Sequence, residues 1–220
     1  MNKDLFKRIV ADFWLGGWWS NLVYSLSSNE TKTLIDEDMD RYRKELPEII
    51  NSNKLLRLRW VLLYYLPARN VFVFRIRQNR FIEICCRLIL RPLKSVEIGK
   101  SATIDGGFRI YHNYSVILPC RAGKNFTVDQ GVTIGRSRRH NAKEETYEPI
   151  IGNNVWIGTN SVVAGGINIG NNVTIGAGSL VLQDVSDNLT VVGNPPYVIY
   201  DGKEKIGKVP LKDYNNERFL

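Results

Sequence analysis

Residues 149–185 read PIIGNNVWIGTNSVVAGGINIGNNVTIGAGSLVLQDV. An aliphatic residue recurs there at every sixth place: Ile151, Ile157, Val163, Ile169, Ile175 and Val181. Toward the N-terminus the same interval, in another phase, links Ile98, Ile104, Ile110, Val116, Ala122, Val128 and Ile134. All thirteen places hold Ile, Val or a single Ala, and glycine often follows directly, as at Gly152, Gly158, Gly170 and Gly176. Neither the helical period of 3.6 nor the strand period of 2 produces a repeat of six. A solenoid of short parallel strands and tight turns does.

Each hexad forms one flat side of a coil. The aliphatic residue points inward and stacks on its equivalents in neighbouring coils. The residue four places later also leans inward, giving Ala102, Phe108, Tyr114, Cys120, Phe126 and Val132, then Val155, Ser161, Ile167, Val173, Ser179 and Val185. Corners call for positive φ, which Gly and Asn tolerate; Asn153, Asn154, Asn171 and Asn172 fit them. Three sides close a coil, so thirteen hexads give about four coils, stabilised by stacking on one another. The alternative, a β-sandwich of short strands, does not account for the period.

The organisation expected over 220 residues is a helical N-terminal region at 1–94, a mainly β, parallel β-helix domain at 95–200 and a C-terminal tail at 201–220. Three cysteines, two of them adjacent (Cys85 and Cys86), do not make a disulfide framework, which points to a reducing, cytoplasmic setting. The opening MNKDLFKRIV contains an acid and no long apolar run, unlike a signal peptide.

The net charge of +8 is concentrated. Between Lys54 and Lys94 stand ten basic residues and one acid, Glu83, among many Leu, Ile, Phe and Tyr. The spacing predicts amphipathic helices at 54–66 and 70–90, split by Pro67. Three readings stand side by side: a helical cap with a solvated basic face, a patch that meets anionic lipid at the inner face of the membrane, and nucleic-acid binding, which no accompanying motif supports. Trp14, Trp18 and Trp19 surround Gly16-Gly17 and suit the packing of a small helical domain or an interfacial role. Residues 27–51 read as a polar loop leading into a helix, with Asp36, Glu37, Asp38 and Asp40 near its positive start.

The interval from Ile134 to Ile151 is not a multiple of six, so a segment at 136–149 leaves the coil. It reads RSRRHNAKEETYEP and carries His140, one of only two histidines. Such insertions often build a binding site on one face of a solenoid, the alternative being a plain surface excursion. The other histidine, His112 in IYHNYS, sits at a hexad corner rather than at an inward position.

The region 93–198 resembles the left-handed β-helix acyltransferases, in the branch of the serine acetyltransferases and of the enzymes that O-acetylate bacterial sugars and capsules. The residues that carry the resemblance are VEIGKSATIDGGFRIYH, VDQGVTIG, the 149–185 stretch and VVGNPP. The left hand comes from this resemblance, since pattern alone would favour right-handed crossovers. The resemblance implies that His112 is the general base and that Glu97, where the family has Asp, is its carboxylate partner. It implies acetyl-CoA as co-substrate along Gly158, Thr159, Gly176 and Ala177, with Thr159 standing where Ala is frequent. It implies no metal; zinc-binding hexapeptide relatives use three histidines. It also implies a homotrimer with sites between subunits.

The acceptor side departs from the serine pattern. Tyr111 replaces the Asp before the histidine, and Thr146-Tyr147-Glu148 stands where the family has D-R-H before Pro149. Tyr111, Arg139, His140 and Glu148 are therefore the acceptor-binding candidates, with Arg138 beside them. The reading that follows is an O-acetyltransferase acting on a sugar or surface-polysaccharide precursor, with serine O-acetylation for cysteine biosynthesis as the alternative and a non-catalytic scaffold as a different class.

Overall fold

The computed structural model describes residues 16–112, 114–117 and 120–217. Trp14 and the MNKDLFKRIV segment lie outside them. The chain divides into two compact units, 1–94 and 95–220.

The first unit is helical: α1 (Gly17–Leu26), α2 (Asn29–Asp40), α3 (Glu48–Asn51), α4 (Lys54–Tyr64), α5 (Leu66–Ile76) and α6 (Arg80–Leu90). Short polar side chains start three of them. Ser28 accepts from the Thr31 N–H, Asn53 from Leu56 and Asn79 from Ile82, each satisfying a first-turn donor that lacks a helical acceptor. The core joins Ile35, Met39, Tyr42, Leu58, Val61, Phe72 and Cys86.

Three expectations are corrected here. The break expected at Pro67 falls just before it, at Tyr65, with Pro67 in the first turn of α5, where its missing N–H has no intrahelical acceptor to lose, and the single helix expected at 70–90 is two, α5 and α6. α5 is not amphipathic, because every residue from Pro67 to Ile76 is buried, as in a helix at the centre of a unit. The acids at 36–40 do not begin a helix; they end α2, against its dipole. Basic side chains from other elements offset that cost. Arg75 grips buried Asp38 through two N–H···O bonds of 2.8 and 2.9 Å. Lys54 meets Asp36 at 2.6 Å, and Arg57 meets Asp40 at 2.7 Å.

The second unit is a solenoid with three walls. The first wall holds β1 (Val96–Ile98), β4 (Ser115–Ile117), β7 (Thr133–Gly135), β10 (Val162–Ala164) and β13 (Leu180–Val181). The second holds β2 (Thr103–Ile104), β5 (Arg121–Ala122), β8 (Ile150–Ile151) and β11 (Asn168–Ile169), extended by a parallel bridge from Ile169 to Val185. The third holds β3 (Arg109–Ile110), β6 (Thr127–Val128), β9 (Trp156–Ile157), β12 (Thr174–Ile175) and β14 (Leu189–Val192). All these neighbours are parallel, and Thr103 pairs with Arg121, three hexads further along. One turn of the chain thus visits each wall once.

The hexad core is observed. Ile104, Ile110, Val128, Ile134, Ile151, Ile157, Val163, Ile169, Ile175 and Val181 are all buried. Phe108 stacks on Phe126 at 5.7 Å between ring centroids. Ser161 and Ser179 also point inward, and both hydroxyls donate to the Gly176 carbonyl, at 2.9 and 2.6 Å, which removes the cost of an unpaired buried polar group. Among the described residues, Tyr114 departs from its expected inward place and is 61% exposed.

The corners between the second and third walls carry an asparagine ladder. Asn125, Asn154, Asn172 and Asn188 all adopt positive φ, between 56° and 66°. Each side-chain amide donates to the next Oδ1 at 2.9–3.0 Å. Asn153 and Asn171 have a different task, accepting from the Lys124 and Asn153 backbone N–H groups.

The tail expected at 201–220 is a correction as well, since 201–217 are built into the unit. β15 (Tyr197–Asp201) pairs antiparallel with β14, and β16 (Glu204–Pro210) pairs antiparallel with β15. Gly202, at φ +60°, makes the tight turn that joins them. α7 (Leu211–Glu217) follows. Asp201-Gly202 is the sequence signal for this hairpin.

Candidate active site

His112 lies at the corner between β3 on the third wall and β4 on the first. The register shows an irregularity there. Val96 of β1 pairs with Ser115, one place later than three hexads allow, and Val116 then pairs with Thr133, one place earlier. One additional residue therefore occupies the His112 corner, and Ile117 takes the place that the period assigns to Val116. The same slip explains why Tyr114 leaves the core. His112 itself is exposed and adopts φ +65°, a strained conformation for a residue with a Cβ.

An aromatic group adjoins it. The Tyr111 and His112 rings are 6.4 Å apart. Tyr111 stacks on Trp156 at 6.2 Å, and the buried Arg109 guanidinium lies 4.0 Å from the Tyr111 ring centroid. Trp156 leads into a groove of about 220 Å³ lined by Asp129, Trp156, Gly158, Thr159, Thr174, Ile175, Gly176 and Ala177. The four residues chosen for acetyl-CoA thus share one groove. Gly158 and Gly176 follow the inward Ile157 and Ile175, so their missing side chains would have pointed outward. A Cβ on Gly158 would stand 2.8 Å from the Ala177 nitrogen, and one on Gly176 would stand 2.6 Å from Val192 Cγ1. Coil packing by itself therefore disfavours a side chain at Gly158, where backbone stands in the way, while at Gly176 the near contact is the Val192 side chain.

Asp129 and Trp156 were not singled out from sequence. Each is next to an inward residue (Val128 and Ile157) and so faces outward on the third wall. Aligning the hexads by coil would have placed Asp129 in one row with Gly158 and Gly176.

Glu97 is the exposed middle residue of β1, on the first wall, with Val116 opposite it in β4. His112 precedes β4 at the corner, and among the described contacts no hydrogen bond joins the two side chains.

The loop is a small folded element. It stretches the step from Arg121 to its partner Ile150 well beyond the three hexads of a regular coil. Asn141 and Thr146 form an antiparallel bridge, with N–H···O distances of 2.8 and 3.3 Å. The loop rests on Gly165-Gly166. A Cβ on Gly166 would fall 2.4 Å from the Thr146 carbonyl oxygen and 2.5 Å from the Asn141 nitrogen. Arg139 donates to Asp184 at 3.0 Å and to the Leu182 carbonyl at 3.2 Å. His140 lies against the Tyr147 ring at 4.6 Å, and Glu148 is 3.9 Å from Arg136. This cluster occupies the corner between the first and second walls. Within one chain, Arg139, His140 and Glu148 are together, and Tyr111 and His112 are at a different edge.

A three-walled hexad solenoid with a groove on its outer face and a histidine at a corner defines a class, the hexapeptide-repeat transferases. The family model described as bacterial transferase hexapeptide (six repeats) matches residues 148–183. A serine acetyltransferase from Bacillus pumilus is 35% identical over 189 residues, which is 85% of this chain and 82% of that protein. The putative colanic acid biosynthesis acetyltransferase WcaB of Escherichia coli K12 is 44% identical over 109 residues, 49% of this chain and 65% of that one. Among solved structures, the serine acetyltransferase of Neisseria gonorrhoeae aligns with a TM-score of 0.64 at 25% identity, covering 83% of this chain and 71% of its own. The chain belongs to the hexapeptide-repeat acyltransferases, in their serine acetyltransferase-like branch, and is an acetyltransferase.

Proposed function

We propose that the protein transfers an acetyl group from acetyl-CoA to the hydroxyl of L-serine, with His112 as general base. The observation that carries the acceptor is the Bacillus pumilus relative, a serine acetyltransferase matching 85% of the chain. It favours the alternative of the sequence analysis over the sugar acceptor placed first there.

The groove at Gly158, Thr159, Gly176 and Ala177 suits the narrow pantetheine arm of the donor, and it runs toward Trp156 and the His112 edge. Neutral His112 takes the proton from the serine hydroxyl as that oxygen attacks the thioester carbonyl. The tetrahedral intermediate collapses, the carbon–sulfur bond breaks, and the imidazolium returns the proton to the CoA sulfur. Proton transfer of this kind contributes about 10²–10⁴-fold, and histidine suits it because its ordinary pKa lies near neutrality. Glu97 supports the cation formed on the ring through charge.

The solenoid, whose first and third walls each stack five strands rather than the four expected from thirteen hexads, is read as a left-handed β-helix that assembles as a homotrimer. Its acceptor residues support this, since one chain holds them on two edges. A neighbouring copy brings the loop of one subunit to the His112 edge of the next. Arg139 is committed to Asp184, which leaves exposed Arg138 to meet the serine carboxylate. The setting proposed is the cytoplasm.

One observation favours a second acceptor, a sugar hydroxyl. Tyr111 stands beside His112 in place of an acid and stacks on Trp156, and the WcaB relative belongs to colanic acid biosynthesis. Incubation with acetyl-CoA and an equimolar mixture of L-serine, sugar nucleotides and oligosaccharides, with products identified by mass spectrometry, separates the two. O-acetylserine as the main product supports the proposal; an acetylated sugar alone replaces it with the second reading.

A further inference from the structure

Of the ten cations at 54–94, four are absorbed inside the helical unit. Lys54, Arg57 and Arg75 meet the acids of α2, and buried Arg69 donates to the Leu62 and Leu90 carbonyls. Most of the remaining charge gathers at 77–94, where Arg77, Arg80, Arg87, Arg91 and Lys94 stand with one acid, Glu83. That segment contains α6.

α6 has two faces. Cys86 and Leu90 are buried, and Trp19 donates to the Cys86 sulfur at 3.2 Å. On the other side Phe81, Ile84 and Leu88 are 75%, 48% and 70% exposed. Their spacing of three and four residues makes one continuous stripe. Arg80 and Arg87 form a second stripe along one flank of the first, about 80° round the helix axis by the 3.6-residue turn, and Arg91 follows as the left-handed residue that ends the helix. Arg87 also holds Glu83 at 2.8 Å.

We propose that α6 docks the protein on an anionic membrane. The helix lies in the plane of the interface, with Phe81, Ile84 and Leu88 among the acyl chains and the arginine stripe on lipid phosphates. Charge complementarity selects this occupant. A second copy packed antiparallel on the same face would bring the arginine stripes toward each other, and in any arrangement it would leave them without anionic partners, whereas an anionic bilayer offers apolar depth beside negative charge. The 11 residues of α6 are far short of the ~20 needed to span a bilayer. The proposal does not depend on which acceptor is acetylated.

The test is co-sedimentation of the full-length protein with vesicles of phosphatidylcholine, and with vesicles one-third phosphatidylglycerol. Binding at least about tenfold tighter to the anionic vesicles, weakening as salt shortens the Debye length, is expected. Phe81→Gln/Leu88→Gln and Arg80→Gln/Arg87→Gln are each expected to weaken it about tenfold or more, with Tm and thiol release from acetyl-CoA unchanged. Equal binding to both lipids, binding to neither, or variants that bind like the wild type would overturn the proposal. So would a lower Tm, or dissociation of an oligomer, in the Phe81→Gln/Leu88→Gln variant, since the stripe would then be covered by protein.

Discussion

The backbone places His112 at the solenoid's edge before its side chain does any chemistry. A φ of +65° at a corner holding one additional residue turns the imidazole out of the wall, next to Tyr111 and in line with the Trp156 groove. Because the side chain is exposed, His112→Asn is expected to leave the circular dichroism spectrum and Tm unchanged. In steady-state kinetics kcat should fall by about 10²–10⁴ with little change in KM for acetyl-CoA. Ala177→Trp tests the groove from the other side: KM for acetyl-CoA should rise about tenfold or more by occlusion, with the fold intact because Ala177 is exposed. The thiols offer a pH test. Burial pushes Cys86 up to about 11, against a partly opposing Trp19 N–H, and pushes Cys120 up to about 12. In the unfolded chain both ionise near ~8.5. Their contribution to stability is therefore complete below that pH and is lost as pH rises toward 11 and 12. Urea midpoints should fall from pH 8 to pH 10, and fall less in Cys86→Ala/Cys120→Ala; equal falls would remove the thiols as the cause.

At the scale of elements, the period of six in the chain made the walls legible, because stacking in a solenoid demands one aliphatic residue per side. What it could not show was where the count slips. The additional residue at the His112 corner moves Ile117 into the register place of Val116, and a run of β-branched residues reads equally well in either phase. The helices were less legible for a related reason: capping by Ser28 and Asn79 outweighed what the composition around them suggested. Proline at 67 reads as a breaker, yet it fits a first turn, and acids at 36–40 read as a helix start until Arg75, Lys54 and Arg57 are seen to meet them. The Asp38–Arg75 pair is 1% and 3% exposed at the side chains. Arg75→Met should therefore cost about 3–5 kcal/mol in chemical denaturation, because it strands a buried carboxylate. A loss below about 1 kcal/mol would mean that Asp38 finds water or another partner.

At the scale of the molecule, the candidate site is divided. Glu97, His112, Tyr111 and the groove belong to the first and third walls and the corner between them, and the loop with Arg138, Arg139 and His140 belongs to another corner. Sequence alone named most of these residues through the family resemblance, which also implied sites between subunits, but which residues a single chain keeps apart depends on the corner each one occupies. The proposed homotrimer is the physical remedy, and it has a consequence. Co-expression of His112→Asn chains with Arg138→Ala chains should yield mixed oligomers more active than either variant alone, since some interfaces then combine an intact histidine with an intact arginine. Activity no higher than that of the separate variants would place the whole site within one chain. The most direct measurement is thiol release from acetyl-CoA in the presence of L-serine, wild type against His112→Asn. Serine-dependent release by the wild type that falls by about 10²–10⁴ in the variant is the predicted result. No serine-dependent release, or equal release by both proteins, would contradict serine as acceptor or His112 as the base.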